Sequence, residues 1–151
     1  MSHTLQGKFR PKNPDKYKGD VSDILYRSSW ELEFMKWCDR CEQVILWQSE
    51  EKRIGYYDPV MKKHRTYYPD FLVKYKTHDG EVRVEMVEIK PLRQVKGPPK
   101  EPKKRTANWM REINTYVTNT AKWEAAEKYC ESKDWKFRLL TERNVNKWKL
   151  L

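Results

Sequence analysis

Two short motifs hold the residue types of hydrolytic chemistry: Pro69-Asp70, and Glu88-Ile89-Lys90. Two carboxylates with a lysine can hold a divalent cation, stabilise charge on a phosphate and steady an attacking water, provided all three meet. One strand is expected from residues 64 to 75, because Tyr67, Pro69, Phe71, Val73 and Tyr75 alternate with Tyr68, Asp70, Leu72 and Lys74. A second, over 81–90, sets Val82, Val84, Met86, Glu88 and Lys90 on one face and Arg83, Glu85, Val87 and Ile89 on the other. Glu88 and Lys90 therefore point the same way.

The link between these strands decides whether Asp70 can join them. A two-residue Asp79-Gly80 turn pairs His78 with Glu81 and sets Asp70 opposite Ile89, on the wrong face. A three-residue loop, His78 to Gly80 with Gly80 left-handed, pairs Thr77 with Glu81 and sets Asp70 opposite Glu88. The second register is the one expected. Paired carboxylates about 5 Å apart across a ladder repel by a few kcal/mol at intermediate dielectric, and a divalent cation relieves this. Hard oxygen ligands, with substrate phosphate completing the shell, suit Mg²⁺ or Mn²⁺ rather than zinc.

Pro-Asp followed by Glu-x-Lys resembles the core of the PD-(D/E)XK nucleases. Tyr26-Arg27-Ser28-Ser29-Trp30-Glu31 before the hairpin, and Phe137-Arg138-Leu139-Leu140-Thr141-Glu142 after it, resemble the TnsA-type transposon endonuclease domain. The size, the basic opening Gly7-Lys8-Phe9-Arg10-Pro11-Lys12 and the Trp30-Glu31 helix resemble the head completion nucleases of T-even-type tailed phages. These resemblances span most of the chain. They imply a restriction-endonuclease-like α/β (α+β) fold and a Mg²⁺-dependent endodeoxyribonuclease, with Mn²⁺ able to substitute. They also imply Glu31, Asp70, Glu88 and Lys90 as catalytic residues, with metal held by Asp70, Glu88 and the Ile89 carbonyl. In TnsA-type enzymes the position of Glu88 can be Gln, so a carboxylate here is closer to the general nuclease pattern. The phage resemblance further implies action on DNA during head completion, beside portal, neck or capsid proteins, in the host cytoplasm during assembly and then with the virion.

Plainer readings exist for each residue. Glu31 lies three residues after Ser28 and can close a capping box, a role hard to combine with catalysis in one rotamer. Asp70 can be a solvated strand residue, and Glu88 with Lys90 an exposed ion pair worth about 0–1 kcal/mol. Tyr67 and Tyr68, beside the motif, read first as packing residues and only second as DNA contacts, and Lys122, opening a helix, reads first as a surface lysine and only second as one that reaches the site. For the whole chain, the alternatives are a TnsA-like transposon-end endonuclease, which needs a partner recombinase, or a virion structural protein that holds DNA without cutting.

The 151 residues and 38% apolar content suit one domain with one core. No stretch is apolar enough to span a membrane or serve as a signal peptide, so the expectation is a cytosolic protein. Three cysteines argue for reduced thiols, and no finger-like zinc spacing is present. The net charge of +10 points to a polyanionic partner, DNA. A basic N-terminal arm is expected over 1–21, carrying Lys8, Arg10 and Lys12. A mobile, Pro-rich loop is expected over 91–105, where Arg93, Lys96, Lys100, Lys103, Lys104 and Arg105 would grip phosphate.

Between these lie a helix over 28–40 and strands near 44–48 and 53–57. Trp109, Ile113, Tyr116 and Val117 fit one helical face and Trp123, Ala126, Tyr129 and Cys130 another, on one broken helix or two. A last strand over 135–141 precedes a tail with Trp148, Leu150 and Leu151. This order predicts a mixed central β-sheet flanked by α-helices.

Overall fold

The computed structural model describes residues 5–99, 101–144 and 147–148. A small ladder of β1 (Gly7–Lys8) and β2 (Leu25–Tyr26) leads into helix α1 (Ser29–Arg40). Ser28 starts that helix in extended backbone, its Oγ accepting the Glu31 N–H at 3.1 Å. The sheet that follows is mixed. Its order is β3 (Val44–Ser49), β6 (Phe71–Lys76), β7 (Val82–Ile89), β8 (Lys136–Leu140), antiparallel except for the parallel β7–β8 pair. β4 (Ile54–Asp58) and β5 (Lys63–Tyr67) form a separate hairpin. A short helix α2 (Leu92–Lys96) and a long helix α3 (Ala107–Lys133) connect β7 to β8.

The alternation read along 81–90 places the two faces as expected. Val87 and Ile89 pack with Trp30, Phe34 and Met35 of α1 on one side of the sheet, whereas Met86 packs with Trp123, Ala126 and Cys130 of α3 on the other. The three-residue loop forms as well. The Thr77 N–H donates to the Glu81 carbonyl at 2.8 Å, the Gly80 N–H to the Thr77 carbonyl at 3.0 Å, and Gly80 has φ +88°.

The expected single strand over 64–75 is instead two strands in two sheets. β5 ends at Tyr67 and pairs with β4, and β6 begins at Phe71 and pairs with β3 and β7. Pro69 explains the break: proline has no N–H for a ladder and restricts the residue before it, so Tyr68-Pro69-Asp70 turns the chain from one sheet into the next. The β4–β5 turn is tied by Asp58, whose Oδ1 accepts from the Val60 and Met61 N–H groups and from Thr118 Oγ of α3, while Oδ2 takes Arg65. Burial opposes ionisation of Asp58, but these donors prevail and its carboxyl lies below its ordinary value.

The basic segments also differ from expectation. Residues 5–21 are docked on the domain rather than forming an arm. Phe9 and Tyr17 are buried, and buried Asp39 accepts the N–H groups of Lys12 at 2.8 Å and Asn13 at 2.9 Å. Lys16 Nζ caps the end of α1 through the carbonyls of Asp39 and Cys41. Apolar Phe9 and Tyr17, set between the basic residues, find a site against Trp47. The Pro-rich loop is folded in its first half, as α2, with the Leu92 N–H bonded to Glu142 at 2.7 Å.

Helix α3 is continuous over 27 residues, one helix where a broken one or a pair was open. It contains no Pro or Gly, its N-cap is Thr106, and it stops at Asp134 with φ +60°. Its apolar stripe is buried only from Asn119 onward, since its first half overhangs the sheet and meets the segment after α2. Cys38, Cys41 and Cys130 are free thiols. Among the described residues no helix is long and apolar enough to cross a membrane.

Candidate active site

Asp70 lies one residue before β6, where the β6–β7 register, Phe71 opposite Val87, continues to Glu88. The pairing is reciprocal. The Asp70 N–H donates to Glu88 Oε1 at 3.1 Å, and the Ile89 N–H donates to Asp70 Oδ2 at 2.9 Å. The Tyr67 hydroxyl donates to the same Glu88 Oε1 at 2.8 Å. One oxygen of each carboxylate is thus held, leaving Asp70 Oδ1 without a hydrogen bond among the described residues. Glu88 Oε2 faces Lys90 Nζ at 3.7 Å. Glu88 itself is buried, so this is not the solvated ion pair of the plainer reading.

Burial, then the neighbouring Glu88 and Glu31, push the Asp70 carboxyl well above its ordinary value, against the Ile89 N–H and Lys90. Burial likewise raises Glu88, opposed by Lys90, Tyr67, the Asp70 N–H and Lys122. Glu31 is raised by burial, with Glu50 and Glu88 adding to it. Glu31 also accepts the Arg27 N–H at 3.1 Å through Oε1 while its own N–H bonds Ser28. The capping role and the place beside the acidic cluster therefore coexist in one rotamer.

Several neighbours join the cluster in roles the sequence reading did not favour. Lys122, read as a surface lysine, is half-buried on α3, with Nζ 5.7 Å from the Tyr67 ring centre and 6.0 Å from that of Tyr56. Burial and Lys90 lower its pKa, with Glu88 pulling the other way. Among the described residues it has no ion pair or hydrogen bond. Tyr67 holds Glu88, and Arg27 pairs with Glu50 at 2.9 Å beside Glu31. Strand alternation could have flagged Tyr67. Nothing local marks Glu50, and long-range packing decides between the two readings of Lys122 in favour of the site.

The basic residues expected on DNA are not drawn into this cluster. Lys8, Arg10, Lys12, Arg93, Lys96, Lys103, Lys104 and Arg105 are exposed, and Arg105 pairs with Glu101. Lys100 lies outside the described residues.

Among the described residues no three His, Cys, Asp or Glu side chains are grouped to hold a metal ion by themselves. The donors at hand are two carboxylates, Asp70 and Glu88, with the Ile89 carbonyl between the Glu and the Lys. So small a set of hard oxygens leaves room for water and phosphate, which fits Mg²⁺ and not a closed zinc cage. Carboxyls raised by burial, Asp70 further by Glu88 and Glu31, are also groups that a bound cation would favour as anions.

The profile of the TnsA-like endonuclease N-terminal family matches residues 41–142, which include Asp70, Glu88 and Lys90. The chain belongs to this family. It is also 40% identical over 139 residues to the head completion nuclease of Enterobacteria phage T4, a match covering 90% of each chain. No solved structure matches. In this TnsA-like endonuclease the hairpin, α3 and β8 all lie within the matched span, while Glu31 and the docked N-terminal segment precede it.

Proposed function

We propose that this TnsA-like endonuclease is a Mg²⁺-dependent endodeoxyribonuclease that hydrolyses phosphodiester bonds in DNA while a phage head is completed. The observation that carries this is the meeting of Asp70, Glu88 and Lys90 at one sheet end, with both carboxyls raised by burial and held by reciprocal backbone bonds. Head completion follows from the name of the phage relative. DNA is then the substrate, portal, neck or capsid proteins are the neighbours, and the host cytoplasm and the virion are the setting.

In this reading Asp70, Glu88 and the Ile89 carbonyl hold Mg²⁺, or Mn²⁺ in its place. The ion, when bound, supplies charge that polarises the phosphate and acidifies a water. Tyr67 and the Asp70 N–H fix the rotamer of Glu88. Lys90 holds the attacking water and offsets charge growing on the phosphorus, and Glu31 orients that water from the helix end. Lys122 faces the same cluster as a second cation, suited to a phosphate oxygen. The exposed Lys8, Arg10, Lys12, Arg93, Lys96, Lys103, Lys104 and Arg105, with Lys100 of the same basic segment, add affinity that is independent of sequence and weakened by salt.

The test is cleavage of supercoiled and linear plasmid with Mg²⁺, Mn²⁺ or EDTA, comparing the natural chain with Asp70→Ala and Lys90→Ala at equal folded concentration. Metal-dependent cutting by the natural chain, absent from both variants while DNA binding persists, is the expected result. Binding without cutting by the natural chain under any metal would replace this reading with a structural role on packaged DNA.

A further inference from the structure

A second site opens beside the first. Between the segment after α2 and the first half of α3 lies a cavity of about 390 Å³, with Arg93, Gly97, Arg111, Tyr116 and Asn119 on its walls. Its size falls within the range of small-molecule pockets, about 300–1,000 Å³. Asn119 is 6% exposed, and among the described residues its amide has no hydrogen-bond partner. Its amide lines the cavity, where it is free to bond an occupant. Tyr116 packs edge-close on Gly97, which has φ +82°, and a Cβ there would come within 2.7 Å of the ring. Glycine thus lets the loop close on the tyrosine, and the two form one wall.

The chemistry of these walls is that of a nucleotide. Two guanidiniums can take phosphate, an aromatic ring can stack a base, and Asn pairs readily with a base edge. One carboxylate, Glu112, also lines the cavity and leaves the cations in excess. The place fits too: Arg93 follows Lys90 by one turn of chain, and Asn119 precedes Lys122 by one turn of α3. A base paired within a duplex cannot enter a concave pocket, so the occupant must be unstacked.

We infer that this cavity receives an unpaired nucleotide of the DNA strand next to the scissile phosphate, so that the substrate is DNA with a single-stranded extension or gap. This rests on the nuclease reading above and narrows its substrate. The two can fail separately.

The experiment measures anisotropy of a fluorescent duplex with a short unpaired extension against the same duplex fully paired, in EDTA, for the natural chain, Asn119→Ala and Arg93→Gln. The readout is the ratio of the two affinities. A ratio of about tenfold in favour of the extension, the size of one stacked or hydrogen-bonded base, is expected for the natural chain and should fall toward one in both variants. Arg93 is exposed, so Arg93→Gln tests the pocket even if Asn119→Ala unfolds. Free deoxynucleotide added as competitor should reduce the ratio only at far higher concentration, since it lacks the tethering strand. A ratio near one in the natural chain, or a ratio unchanged in both variants, overturns the inference. A retained ratio with no metal-dependent cleavage of either duplex removes the nuclease reading and leaves the pocket; cleavage with a ratio near one does the reverse.

Discussion

At the scale of single residues, Asp70 and Glu88 are stabilised less as anions in the folded chain than in water, and this sets a pH dependence. The folded state binds their protons more tightly than the unfolded one, so their contribution is full below the ordinary carboxylate range. It is lost as pH rises through the raised folded values. Without divalent metal, melting temperature should fall as pH rises above the ordinary carboxylate range, each kcal/mol appearing as about 2–4 °C, and Asp70→Asn should flatten that fall. Added Mg²⁺ should flatten it in the natural chain. An identical slope in both proteins would show that Asp70 does not govern it. Lys122 gives a second test. Truncating a lysine that meets phosphate removes a charge-assisted bond, so Lys122→Ala should lower kcat/KM about tenfold or more while thermal stability holds or rises. A merely superficial lysine would leave the kinetics unchanged. Asp70, Glu88 and Lys90 were legible because strand period and loop length act over a few residues. Lys122 and Glu50 reach the cluster through long-range packing, which no local pattern encodes, and the role of Tyr67 depends on the turn at Pro69 between two sheets.

Among the elements, helix α1, β3, β4, the 77–81 loop and β8 follow from caps, alternation and turn chemistry, and all lie close to where the sequence placed them. The split of the strand expected over 64–75 has one cause. Pro69 fits the alternation of its neighbours, yet its missing N–H forbids a ladder, and the period-2 pattern runs unbroken across a place where the sheet changes. The docked N-terminal segment was hidden for a different reason: its charge suggested an arm, while its anchors, Phe9, Tyr17 and the backbone of Lys12 and Asn13, answer to Trp47 and Asp39 far along the chain. Asp39→Ala should leave those two N–H groups without partners and cost about 2–4 kcal/mol. Denaturant unfolding measures the loss, and limited proteolysis should then cut within residues 8–18. Persistent protection would mean that the aromatic contacts alone hold the segment.

For the whole molecule, the charge of +10 sets how DNA is held. Replacing Lys103, Lys104 and Arg105 by Gln should make the slope of log affinity against log salt shallower by about 3, if each meets one phosphate. A slope unchanged by the triple replacement would place the grip elsewhere. A last consequence concerns the order in which the chain is made. The strand bearing Glu88 is flanked on one side by its hairpin partner β6 and on the other by β8, with Glu85 and Arg138 bonded across 53 positions. Synthesis delivers β6 and β7 early and β8 late, and parallel, distant pairing forms slowly. The strand bearing Glu88 therefore stays half-framed until residues 136–140 have been made, and on the proposed reading cutting must wait for them. Chains released before Lys136 should bind DNA through their basic surface yet leave plasmid intact, and adding a peptide that spans β8 should restore cutting.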